Sequence, residues 1–225
     1  MAFVESKGAR ISYEVIDLTA PWVGEPQTVI FNHGIGIDHR MWTKWLPALI
    51  ERYRLVLLDM RGFGASSIPP ADARWSMDLL VGDVFAVARA VNAERFHIVG
   101  ESMGGTVALC SYFHDPKAIR TITVSNGAHI GATLKNLNDW RDVIRERGMA
   151  GWSAMMSAHR FYDDGLEPRE RALQEAHLAL RGSNTRPPGV LRAHPVAGGG
   201  DQAGGGLDRV ALEAADAGVE LIVVE

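Results

Sequence analysis

Short apolar runs alternate with longer stretches of helical spacing over the first 125 residues. Phe3–Glu5 and Ile11–Ile16 read as strands joined through Lys7-Gly8, so the chain is expected to open with a β-hairpin. Pro21 to Pro26 reads as a loop. Thr28-Val-Ile-Phe31, Leu55-Val-Leu-Leu58, His97-Ile-Val99 and Thr121-Ile-Thr-Val124 are brief apolar runs of the kind that suits buried parallel strands. Between them, Met41 to Tyr53 has helical spacing. Ser76 is placed to cap a helix whose apolar stripe is Met77, Leu80, Val81, Val84, Val87 and Val91. A further helix is predicted from Met103 and should end before Pro116, because the residue preceding a proline disfavours helical dihedrals. Strand and helix in alternation predict an α/β fold, an open and mainly parallel sheet with helices on both faces.

After about Ala128 the alternation stops. Trp140–Gly148, Gly151–Phe161 and Pro168–Leu180 are three helical stretches with no strand between them, which reads as a cap over the carboxyl edge of the sheet. Residues 182–206, with GSNTRPPG, AHPVAGGG and DQAGGG, are rich in Gly, Pro, Ala and Arg and carry little apolar periodicity. Two readings stay open for them, a natural flexible linker or an out-of-frame or otherwise altered segment. Val219–Glu225 then has the pattern of a buried strand. The expected organisation is a core over 1–128, a helical cap over 129–181 and an atypical tail over 182–225.

Composition narrows the chemistry. The 225 residues are 47% hydrophobic and 22% charged, an ordinary globular balance for one domain with a sizeable core. A net charge of -4 gives no electrostatic reason to expect nucleic acid or an anionic membrane as partner. No run is long and apolar enough to span a bilayer, and MAFVESKGAR puts a Glu where a secretion signal would be apolar. A lone Cys110 excludes an internal disulfide framework, so a soluble cytoplasmic protein is expected. H-E-x-x-H and the phosphate-binding G-x-x-x-x-G-K-[ST] are absent, and the GxG of HGIG lacks the third glycine of a dinucleotide site. The expectation is a protein without metal or cofactor.

Gly100-Glu-Ser-Met-Gly104 is G-x-S-x-G in the required context, an apolar strand before it and a helix after it. That strand-to-helix turn is strained and crowded, so the flanking positions need glycine, while the serine hydroxyl projects from the sheet edge. The helix N-terminus behind Ser102 favours developing negative charge. The competing reading is a glycine-rich turn that only packs helix on strand. Asn32-His-Gly-Ile-Gly36 follows the Thr28–Phe31 strand. In acyl transfer on such a sheet, the backbone N–H groups of Ile35 and Met103 would hold the oxyanion. His33 beside them reads as a structural histidine rather than a base. In Asp59-Met-Arg-Gly-Phe-Gly-Ala-Ser66, Asp59 and Arg61 read as scaffold that shapes the loop, and so does Asp83, placed on the polar side of its helix.

With HGIG, DMRGFGAS and GESMGG in this order and spacing, residues 28–125 resemble the α/β-hydrolase superfamily. Ser125-Asn-Gly-Ala-His-Ile-Gly131, Trp140-Arg141, Arg147-Gly-Met149 and Arg160-Phe161 make the chain similar to the 3-oxoadipate enol-lactonase group. The resemblance implies a cofactor-independent hydrolase of a small carboxylic ester or acidic enol-lactone. Ser102 would attack the carbonyl, a histidine would take its proton, and water would clear the acyl-enzyme. Arg141 and Arg160, with Arg147, are candidates to meet a substrate carboxylate, and Trp140 is a further substrate-binding candidate. For each arginine a solvated cap surface is the alternative. In the family, the strand matching Val219–Glu225 precedes the triad acid, and a helix and strand later comes the catalytic histidine. The resemblance thus implies that these C-terminal elements are missing. His129, His159, His177 and His194 follow Ser102 in sequence but match no family position, and Glu225 lies near the acid's place as the terminal residue. Three readings follow: an active hydrolase, a binding protein that keeps the pocket without the chemistry, and a truncated or frame-altered product.

Overall fold

The computed structural model describes residues 1–70, 72–125, 127, 137–160 and 220–224. Clustering of the backbone divides the chain into two compact units, one of residues 1–67, 74–132 and 192–225, the other of 68–73 and 133–191.

The first unit is built on a seven-stranded sheet in the order β1-β2-β4-β3-β5-β6-β7. The strands are β1 (Ala2–Ser6), β2 (Ala9–Ile16), β3 (Gln27–Asn32), β4 (Tyr53–Leu58), β5 (Phe96–Glu101), β6 (Ile119–Ser125) and β7 (Glu220–Val224). β1 and β2 form the expected antiparallel hairpin, turning at Lys7 and Gly8, both at positive φ. β2 runs antiparallel to β4, and every other neighbouring pair is parallel. The strand predicted over 219–225 is seen as β7, in register with β6 from Thr121↔Glu220 to Ser125↔Val224.

Alternate residues of the central strands feed two cores. Ile30, Val56 and Ile98 face a core shared with α2 (Met77–Ala90) and α3 (Met103–His114). Val29, Phe31, Leu55, Leu57 and Val99 face a second core closed by Trp42, with Leu46 and Leu49 of α1 (Leu46–Leu49) packed against it. Helices therefore cover both faces, as the alternation of strand and helix predicts. Ser76 caps α2 as expected, its hydroxyl accepting from the Leu79 amide at 3.2 Å.

Two expectations change. The helical spacing over 41–53 is split into a 3-10 helix at His39–Lys44 and the single turn α1, and β4 begins at Tyr53. Pro47 sits in the first turn of α1, where it donates no N–H, so one continuous α-helix cannot run through this stretch. Asp83 is not on a polar face: it is 2% exposed and forms a buried two-point ion pair with Arg61.

In the second unit, α4 (Leu137–Arg160) is two helices merged across a kink at Gly148, whose φ of 69° and ψ of -173° no helix contains. The kink falls between the two helical stretches read from sequence. The third stretch, 168–180, and the atypical 182–206 lie outside the described residues. Among the described residues no helix is long and apolar enough to cross a membrane.

Candidate active site

Strand order reverses between β3 and β5, because the chain leaves β3 for β4 on one side and β5 for β6 on the other. Loops at the carboxyl ends of two such strands part from each other and leave a crevice where open α/β sheets bind ligands. Here those loops are Asn32–Gly36 after β3 and Glu101-Ser102 after β5.

Ser102 links β5 to α3 with φ 53° and ψ -118°, in the left-handed half of dihedral space that a side chain rarely occupies. Its amide donates to the Ser125 carbonyl at 2.9 Å and its carbonyl accepts from Thr106 at 3.2 Å, so the turn is held from both sides. The glycines are required by contact. A Cβ on Gly100 would overlap the Gly104 carbonyl, and one on Gly104 would overlap the carbonyls of Asn32 and His33. α3 therefore starts almost on top of the end of β3. Gly34 is equally close to the serine, since a Cβ there would stand 2.9 Å from the Ser102 Cβ and run into the Glu101 carboxylate. The Met103 amide belongs to the first turn of α3, where N–H groups have no acceptor within the helix.

His33 is fully buried and links its own loop to the one after β4. Its Nε2 accepts from the Met60 amide at 3.0 Å, which leaves the proton on Nδ1, donated to the Gly34 carbonyl at 2.7 Å. Burial holds its pKa below the ordinary value against the pull of the Gly34 carbonyl, Asp59 and Asp38, so the ring is neutral. Both nitrogens are committed to backbone. The Gly34 carbonyl and the Ile35 N–H belong to one rigid peptide plane and point in opposite directions. By fixing the carbonyl, His33 fixes the Ile35 amide.

Asp59 and Arg61 anchor the neighbouring loop. Asp59 is completely buried and joins His39, as described below, and Arg61 ties the loop to α2 through Asp83 and to β1 through the Ser6 carbonyl at 3.2 Å. The hydrophobic pattern does not single out His39, and only the Asp38-His-Arg40 sequence before an apolar run hints at a capped turn. β2 and β4, which His39 bridges, lie on the far side of β3 from β5; β2 is three strand spacings from β5, roughly 14 Å, so His39 and Asp59 do not serve Ser102 as a triad pair. Asp38, His39 and Asp59 bring potential metal-binding atoms within 4.8 Å of one another. Their oxygens, however, are already taken by Arg40, His39 and Ala65, and we assign no metal there.

The structure thus brings Ser102, Met103 and the Ile35 loop together within the first unit. Among the described residues no histidine is hydrogen-bonded to Ser102: His97 joins Thr121 and Gln27, and the His114 ring packs on Phe85. His129, His177, His194 and Glu225 lie outside the described residues, as does the His159 side chain. Trp140 belongs to the second unit, its ring edge-to-face with Trp152 at 5.7 Å. Arg141 is partly buried there, and the Arg160 side chain lies outside the described residues. A cavity of about 600 Å³ lies on the sheet face, walled by Trp45, Tyr53, His97, Val99 and Ile222 among others, and includes neither Ser102 nor its neighbours.

The chain is 31% identical to 3-oxoadipate enol-lactonase 1 of Acinetobacter baylyi over 135 residues, 60% of this chain and 50% of that protein. It is 32% identical to a putative carbamate hydrolase RutD of Klebsiella pneumoniae over 108 residues, 48% of this chain and 40% of that one. It thus spans about half the length of these curated relatives. The enol-lactonase of Burkholderia xenovorans shares the fold, with a TM-score of 0.73 at 19% identity over all of this chain and 91% of that one. The sequence model of the alpha/beta hydrolase fold family matches residues 27–201, more than half of the chain, and with the strand–Ser102–helix turn at the switch point of the sheet the chain belongs to that family.

Proposed function

We propose that Ser102 is the nucleophile of a hydrolase acting on a small carboxylic ester or lactone, with an acyl-enzyme as intermediate. The observation that carries this reading is the Ser102 backbone, held at φ 53° at the head of α3 between glycines that have neighbouring backbone where a Cβ would stand. Strain of this kind costs about 1–3 kcal/mol and persists where the surroundings over-determine it, most often at active sites. As the hydroxyl attacked a carbonyl, negative charge would develop beside the amides of Met103 and Ile35, which are set by α3 and by the His33 staple. An acidic enol-lactone is the favoured substrate class, by likeness to the Acinetobacter relative.

A second reading has its own support. No described histidine meets Ser102, and a serine without a base stays protonated and weak. A protein that binds such a ligand without turning it over is the alternative. A fluorescent ester in excess separates the two. The hydrolase releases product in proportion to enzyme and loses this with Ser102→Ala, whereas the binding protein shows saturable binding and no product above that variant.

A further inference from the structure

The segment that carries Ile35 is stapled at both ends to one dipeptide, Asp59-Met60. At the near end, the Met60 amide donates to His33 Nε2 at 3.0 Å. At the far end, Asp59 Oδ1 accepts both the His39 amide at 3.0 Å and His39 Nδ1 at 2.7 Å. We propose that His39 and Asp59 form a clasp, weakened by loss of the His39 proton, that positions the Ile35 segment against the loop after β4.

Asp59 is built as a fixed anchor. Its other oxygen accepts from the Ala65 amide at 2.9 Å, its own carbonyl accepts the Ser66 hydroxyl at 2.6 Å, and its amide donates to Ser12 of β2 at 2.9 Å. Gly64, at φ 53°, leaves room for the carboxylate, since a Cβ there would overlap it. His39, its partner, opens a short 3-10 helix that follows directly from the loop.

Every element around the imidazole contributes a titratable or charged group. Glu14 of β2 lies 3.7 Å from Nε2. Asp38, which caps the 3-10 helix, sits next to it and also holds the Arg40 guanidinium. His33 faces it from the segment after β3 and is neutral. Three carboxylates lie around the ring, an arrangement that stabilises an imidazolium, and the Arg40 guanidinium is engaged by one of them, Asp38. The hydrogen bond to Asp59 raises the His39 pKa above its ordinary 6.5, burial opposing and the charges of Asp59, Asp38 and Glu14 assisting. Burial works against the Asp59 charge too, but the bonds from His39 and from the Ala65 and His39 amides outweigh it and hold that carboxyl below 3.8.

The signs follow from linkage. The stabilisation by His39 is complete below pH 6.5 and is lost as pH rises through its raised folded pKa. That from Asp59 is complete above pH 3.8 and lost as pH falls through its lowered pKa. The clasp is therefore tightest in mildly acidic solution and weakens on the alkaline side.

The clasp bears on catalysis only through the Ser102 reading, so its test is independent of activity. Amide hydrogen exchange across residues 33–40 is followed from pH 5 to pH 9 in the full chain, corrected for intrinsic rates, alongside NMR titration of the histidine rings. Protection is expected to fall by up to about tenfold per pH unit once pH exceeds 6.5, tracking a His39 inflection above that value. His39→Gln, which can still donate to Asp59 but does not titrate, should give protection independent of pH. Should that variant not fold, agreement of the ring inflection with the exchange profile of the unaltered chain decides alone. A His39 inflection at or below 6.5, or exchange unaffected by it, overturns the proposal. So does stoichiometric zinc binding that His39→Gln removes, because the three side chains would then be a metal site.

Discussion

At the scale of single residues, the site is a problem of volume before it is one of chemistry. Gly104 lies so close to the end of β3 that a methyl group would have to push two carbonyls aside. Gly104→Ala should destabilise the fold by about 1–3 kcal/mol, the usual cost of overpacking a rigid contact. In a chain of this size that lowers the thermal midpoint by about 2–4 °C per kcal/mol, measurable by circular dichroism. Gly34→Ala meets the Ser102 Cβ and the flexible end of Glu101 instead. It should lower the midpoint as well, because the Ser102 Cβ stands on a strained turn with little room to give, and slow a Ser102-directed probe at least several-fold. Ser102, its glycines and the loop on which Ile35 lies were all legible in the sequence, because a steric requirement writes itself as a local motif. His39 was not. Its partner Asp59 is 20 residues away, and only the register of β3 against β4 brings the two together.

At the scale of elements, the helices are set by their ends and by one buried charge pair. Loss of the cap in Ser76→Ala should cost about 1 kcal/mol, seen as a lower denaturant midpoint without a change in slope. The Arg61–Asp83 pair ties the loop after β4 to α2, with both side chains almost fully buried. Arg61→Met strands a buried carboxylate and should cost about 3–5 kcal/mol, while adding Asp83→Leu should restore much of the loss. Sequence periodicity placed α2 correctly and gave Asp83 a scaffold role, but set it on the polar side of the helix, since nothing local shows that its partner Arg61 is buried beside it. It also ran a helix through Pro47, where the missing N–H breaks the ladder into a 3-10 segment and a single turn.

For the whole molecule, an open and mainly parallel sheet was inherent in the alternation of strand and helix, whereas the order of strands and the crevice between β3 and β5 come from long-range pairing that no local pattern records. The general base was not legible, because a triad is assembled from distant loops and no local pattern marks its histidine. The central claim, that Ser102 is a nucleophile, depends on that turn and can be tested without knowing the substrate. A fluorophosphonate probe, with the adduct located by peptide mass spectrometry on a sample shown to unfold cooperatively, tests it most directly. A nucleophilic Ser102 gives a single adduct, on Ser102 itself, that is absent from Ser102→Ala. A folded sample that leaves Ser102 unmodified after prolonged exposure, or an adduct that survives Ser102→Ala, would contradict it.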